Sequence, residues 1–165
     1  MVTNKDVKAI PFHWTHPYHM DLRPFDRALF HNLPDFGRRL RAYAAENTGR
    51  TLLHKGQMAC SWGAISLWPG VAEFWLITAY QFERIPITAT RTAIRYFNQV
   101  ELEMKLHRLQ IVVDMQNEVA MRWAAALKFK PEGRLYSYGP DGSDHMMFAR
   151  TLNERIIQNT KDAGP

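Results

Sequence analysis

Cysteine is almost missing from this chain. Cys60 is the only one in 165 residues, so no intrachain disulfide can form, and a reducing, cytoplasmic setting is the expectation. Long apolar runs are missing too: no stretch approaches the roughly 18 residues that a membrane-spanning helix needs. The opening MVTNKDVKAI carries charges where a secretion signal would be continuously apolar, so no membrane partner is expected. Repeats and low-complexity tracts are absent, and 46% hydrophobic with 22% charged residues are globular proportions that exclude intrinsic disorder. Nor is there a block of one charge. The excess of 21 Lys and Arg over 16 Asp and Glu is spread from Lys5 to Lys161 among the acids, with one concentration at Arg38, Arg39 and Arg41. A nucleic-acid footprint gathers on one face within a recognisable module, so this distribution points away from nucleic acid.

What is present is enough chain for one core, read as a single domain over residues 1–150 and a polar tail over 151–165. Residues 1–20 are irregular, with a hint of a strand at Val7–Phe12. Leu22–His31 and Pro34–Asn47 have helical spacing, the second with Pro34 in its first turn and Gly49 closing the run. Thr51–His54, Gln57–Trp68 and Val71–Ala79 form an antiparallel meander, broken by the turn pairs Lys55-Gly56 and Pro69-Gly70. Thr90, Ala93, Ile94, Phe97, Val100 and Met104 then recur on one face of a helix over 88–106. Leu109–Val113 is short and β-branched, as a central strand is. Glu118–Leu127 reads as a helix with Asn117 at its N-cap, and Gly133–Tyr138 with His145–Arg150 as a closing hairpin. Strand, helix and strand from Val71 to Val113 imply one parallel pair inside an otherwise antiparallel sheet.

Two clusters carry little. His13, His16 and His19 are three apart, but Pro17 breaks the helix that would stack them and no Cys or carboxylate completes a set, so no metal is expected. Cys60, inside a strand pattern, reads as an inert buried thiol.

From Asn117 onward the pattern is more specific. Asn117, Ala120, Leu127, Phe129 and Glu132-Gly133, in NEVAMRWAAALKFKPEG followed by LYSYGPDGSDHMMFAR, resemble the GNAT N-acetyltransferase family, which carries Asn-x-x-Ala, Leu-Gly-Phe, a Glu-Gly-like strand and a closing hairpin. The order of elements over residues 22–150 fits as well, so the resemblance covers most of the chain. It looks like a divergent member of the phage or prophage type, which would place it in a host cytoplasm or a virion. The resemblance implies an α/β fold of the acyl-CoA N-acyltransferase kind, a mostly antiparallel mixed sheet with a central parallel pair flanked by helices. It also implies acetyl-CoA as cosubstrate and direct attack on it by an amine of an unknown small-molecule or protein acceptor. A monomer or a homodimer would both be in keeping.

The family's residues carry over position by position. Trp75, Leu76, Ile77 and Thr78 match the strand whose backbone pairs with pantetheine, and Asn117 matches the asparagine that contacts the same arm. Arg84, Ile87 and Ala89 match the pyrophosphate loop, with Thr88 adding a backbone N–H. Glu73 matches the general base; no tyrosine matches the family's acid position, and Tyr136 or Tyr80 would have to supply the acid from elsewhere in the fold. Three positions depart: the loop's first glycine is Ile87, the tyrosine seven residues after the asparagine is Ala124, and the glycine of Leu-Gly-Phe is Lys128. A second reading follows from them, a GNAT-fold binding or structural protein without catalysis, such as a virion component or host-factor binder.

Overall fold

The computed structural model describes residues 6–152. Strands β1 (Val7–Pro11), β2 (Arg50–His54), β3 (Gln57–Trp68), β4 (Val71–Thr78), β5 (Arg108–Asp114), β6 (Lys130–Leu135) and β7 (His145–Thr151) alternate with helices α1 (Pro24–Asn32), α2 (Phe36–Ala45), α3 (Pro86–Glu103) and α4 (Glu118–Ala126). Hydrogen bonding orders the sheet β1-β2-β3-β4-β5-β7-β6, so β5 is an inner strand as its composition suggests. Antiparallel pairs join β1 to β2, β2 to β3, β5 to β7 and β6 to β7, and β4 runs parallel to β5. No helix among the described residues is long and apolar enough to cross a membrane. The proposed tail lies outside the described residues beyond Leu152.

Local chemistry explains the joints. Lys55 and Gly56 both take positive φ, 50° and 80°, the two-residue turn whose twist matches a hairpin. Gly70 at φ 82° follows Pro69, as a turn with a left-handed third residue requires. Pro86 opens α3 two residues earlier than the apolar spacing indicates: its missing N–H costs nothing in a first turn, and Ala89 N–H already donates to Ile85 O at 2.8 Å. Strand β6 ends at Leu135 rather than Tyr138, because Ser137 turns back at φ 50° and its N–H donates to Asp144 Oδ1 at 2.7 Å. Two short 3-10 turns, His16–His19 and Tyr80–Arg84, have no periodicity by which to be read.

At the end of α4 the departure at Lys128 has a visible cost. Lys128 holds φ 65°, the left-handed conformation that favours glycine, while its N–H donates to Ala125 O at 2.9 Å and Phe129 N–H to Ala124 O at 3.1 Å. Lys128→Gly is expected to stabilise the fold by up to about 1 kcal/mol, the relief of strain exceeding the added chain entropy. Thermal denaturation checks this, and an unchanged or lower midpoint would refute it.

The chain divides into two compact units: residues up to Ile65 with Phe74–Tyr96, and Ser66–Glu73 with the chain from Phe97 on. In the first, Phe12, Leu22, Phe36, Leu40, Trp75 and Ile77 form a buried cluster. A second layer there holds the rings of Trp62, Phe74 and Tyr96, with centroids 6.1–6.5 Å apart. The histidine segment is absorbed by packing: His16 Nδ1 accepts from His13 N–H at 3.2 Å, so the Thr51 hydroxyl, 2.8 Å away, donates to it. In the second unit Phe97, Leu109, Leu127, Phe129 and Phe148 are buried, and Phe97 meets Phe129 edge-on at 5.4 Å.

Candidate active site

The site is built on one edge of β4. Gly70 O accepts from His107 N–H at 2.9 Å and Arg108 N–H at 3.1 Å, so the backbone groups of residue 70 face β5. Alternate residues of a strand present their N–H and C=O to the same edge, which assigns residues 72, 74, 76 and 78 to it. Pairing with β5 begins at Val71↔Arg108 and ends at Glu73↔Gln110, although β4 continues to Thr78 and β5 to Asp114. At the far end another segment takes over: Thr78 O accepts from Arg23 N–H at 3.1 Å and Tyr80 N–H donates to Asp21 O at 3.0 Å. Ala79 N–H meanwhile goes to Ala59 O on β3, at 2.9 Å, so residues 21–23 lie on the edge away from β3. Between these two sets of bonds runs the stretch 74–77, with the N–H and C=O of Leu76 on that edge.

Asp26 closes the far end of this stretch. The Thr78 hydroxyl donates to Asp26 Oδ2 at 2.5 Å. The half-buried carboxyl has its pKa raised to about 6, because desolvation outweighs the opposing hydrogen bonds from the Thr78 hydroxyl and N–H and the charge of Arg23. An unfolded chain titrates this group near 3.8. The stability it contributes is therefore complete below that value and is lost as pH rises through about 6. Cys60 shares the neighbourhood: burial pushes its thiol far up, and the charge of Asp26 pushes in the same direction. Nothing in the sequence singles Asp26 out, since an acid in the first turn of a helix reads as a complement to the helix dipole.

The remaining candidates lie as follows. Trp75 and Ile77 turn their side chains into the core cluster, while Leu76 is half-buried. Arg84 ends the 3-10 turn and is exposed. Ile87 is 68% exposed, so it fills no core role, and Thr88 is half-buried. Ala89 N–H donates to Ile85 O at 2.8 Å as the first bond of α3, so the N–H groups of Ile87 and Thr88 belong to the opening turn that precedes it. Asn117 caps α4, its Oδ1 accepting from Ala120 N–H at 3.1 Å. Glu73, at the last paired position of β4, accepts from Gln110 Nε2 at 3.3 Å. Tyr136 sits in the turn after β6, 75% exposed, with the Arg134 guanidinium 4.8 Å from its ring centroid. Among the described residues no group of three His, Cys, Asp or Glu side chains could hold a metal ion.

The mixed sheet with its one parallel pair also has counterparts among known structures. An acetyltransferase of the GNAT family from Bacillus anthracis superposes with TM-score 0.67 at 13% identity, covering 91% of this chain and 97% of its own. The Salmonella typhimurium protein yncA, with its cofactor acetyl-CoA, superposes with TM-score 0.70 at 12% identity, covering 90% and 95%. The fold is that of the GNAT acetyltransferases. A variant of the spermidine N-acetyltransferase of Vibrio cholerae shares this GNAT fold too, with TM-score 0.66 at 15% identity and coverage of 94% and 99%. No protein-family model matches the sequence, and no curated protein sequence does. Two of the three departures from the GNAT motifs have structural readings. Ala124 is 1% exposed, so its position belongs to the core, and Lys128 retains the backbone conformation for which the glycine is suited.

Proposed function

We propose that this protein is an N-acetyltransferase that moves an acetyl group from acetyl-CoA to an amine by direct attack. The observation that carries the reading is the edge of β4 between Glu73 and Thr78, left by β5 and not yet reached by residues 21–23. An extended ligand carrying amides adds to such an edge as a strand does, through N–H and C=O bonds. Pantetheine is such a ligand. Trp75, Leu76, Ile77 and Thr78 would hold it, the N–H and C=O of Leu76 making the bonds. The helix-start N–H groups of Ile87 and Thr88, with the charge of Arg84, would face the pyrophosphate. Asn117 stands at the position that the resemblance assigns to the pantetheine arm, and with its oxygen used as a cap its amide nitrogen is the group left for that role. Glu73 stands where the family resemblance looks for a base, and Tyr136 would supply an acid in place of the tyrosine that Ala124 replaces.

Acetyl-CoA titrated into the protein by calorimetry tests the reading. Saturable binding is expected, and Leu76→Pro, which deletes one N–H on the open edge, is expected to weaken it about tenfold. Leu76→Ala keeps that N–H and should keep the affinity. An absence of saturable binding at millimolar acetyl-CoA would overturn the reading and favour the non-catalytic one, for which the exposed Ile87 at the loop's glycine position speaks.

A further inference from the structure

We propose that Asp26, rather than Glu73, is the base that takes the proton from the acceptor amine, and that its carboxylate is the anionic contact that draws a primary ammonium group to the site. The inference rests on the acetyltransferase reading above, and three observations carry it. Asp26 is brought by α1 to Thr78, at the end of the open stretch of β4, where the Thr78 hydroxyl fixes Oδ2 at 2.5 Å. The segment just before α1 is bonded to the same edge through Arg23 N–H and Asp21 O, so the position of α1 on β4 is determined by backbone bonds rather than by side-chain packing alone. Glu73, by contrast, lies at the paired end of the stretch with its carboxylate engaged by Gln110.

Among the described residues Arg23 is the charged group that acts on Asp26. Arg23 opens α1 and is turned to Glu83 at 3.4 Å; Arg27, one turn on, is turned to Asp21 at 3.2 Å and Leu22 O at 3.0 Å. From β3 the neighbour is the Cys60 thiol, and from β4 the Thr78 hydroxyl. The carboxyl therefore titrates against a partly screened Arg23, and the rise to about 6 brings it nearer to an amine's range than an ordinary aspartate, as a base at neutral pH needs.

The ammonium gives one proton to the Asp26 carboxylate, and the free amine attacks the thioester carbonyl carbon. A C–N bond forms, the C–S bond breaks, the nitrogen's second proton leaves with the CoA sulfur as thiol, and the Asp26 carboxyl returns its proton to water.

The test follows CoA release from acetyl-CoA with spermidine and with n-propylamine as acceptors, from pH 5 to 9, for the wild type, Asp26→Asn, Thr78→Val and Glu73→Gln. Asp26→Asn is expected to lower kcat/KM at pH 7 by about 100-fold or more and to abolish its acidic limb. Asn still accepts from the Thr78 hydroxyl, so the variant folds, and at pH 8 it should melt above the wild type because the desolvated charge is gone. Thr78→Val removes a donor that favours the carboxylate and should move the acidic limb to higher pH, a shift that a merely structural role would not produce. Glu73→Gln should retain the limb. Full activity of Asp26→Asn with an unchanged pH profile would overturn the assignment while the acetyltransferase reading stood. Absence of wild-type turnover with both amines would overturn the assignment, and the calorimetric titration then decides separately whether the acetyl-CoA reading falls with it.

Discussion

Glu101→Ala is expected to cost the fold about 3–5 kcal/mol. Glu101, near the end of α3, is 5% exposed and Arg150 on β7 is 7% exposed. The guanidinium donates through Nε to Glu101 Oε1 at 3.1 Å, through Nη2 to Oε2 at 3.4 Å, and through Nη1 to Leu127 O at 3.1 Å. It also lies 5.1 Å from the ring centroid of Phe97 and 5.8 Å from that of Phe129. Both ions are removed from water and bonded to each other, so deleting the carboxylate takes from a buried guanidinium the opposite charge it is bonded to, while its bonds to Leu127 O and Asn98 Oδ1 remain. For a chain of this size such a loss lowers the melting midpoint by about 10 °C. The double variant Glu101→Leu with Arg150→Met removes both charges and should recover most of the loss, since an apolar pair of similar volume has no desolvation cost. Chemical denaturation of the single and double variants checks both. A loss below about 1 kcal/mol in the single variant would show that water reaches the guanidinium.

The strands and their joints were legible because their signals are local. Pro69-Gly70 and Lys55-Gly56 demand particular backbone angles, and Leu109–Val113 is too short and too branched to be a helix. The helix boundaries were less so. Periodicity reports the buried face of α3 but not Pro86, whose place in the first turn leaves no mark on that face. The site was legible where it is backbone, because a strand followed by a helix start is a pattern of order, and it was not legible where it is side chain. Asp26 and Thr78 are 52 residues apart, and only the bonds of residues 21–23 to the end of β4 bring them together. A separation of 49 residues hides the partnership of Glu101 with Arg150 in the same way. Tyr136 was expected on a strand of the closing hairpin, yet Asp144 takes the Ser137 N–H and turns the chain one residue after it.

Trp75→Ala is expected to cost about 3–5 kcal/mol and to weaken acetyl-CoA binding together with it. The two effects are linked by the alternation of β4. The even positions of the strand put their backbone groups on the open edge, and the odd side chains, Trp75 and Ile77, anchor the strand in the core cluster. Trp75 stacks on Tyr43 with ring centroids 4.6 Å apart and an angle of 10°, and meets Phe12 edge-on at 4.8 Å. On β3 the ring is answered by Gly63, where an added Cβ would come within 2.7 Å of Trp75 Cζ2 and 2.9 Å of Nε1. Gly63→Ala alone should therefore destabilise by about 1–3 kcal/mol through overpacking. In the Trp75→Ala background the same methyl group enters the space the ring has left, and its cost should vanish or change sign. The double-mutant cycle is thus expected to give a coupling of at least about 1 kcal/mol in the favourable direction. Additive losses would mean that the ring and the glycine do not meet in solution. If the coupling appears while acetyl-CoA affinity stays low in the double variant, then filling the cavity has restored stability without restoring the strand's position. The indole would then be shown to hold the open edge of β4 in register for its ligand as well as to fill the core.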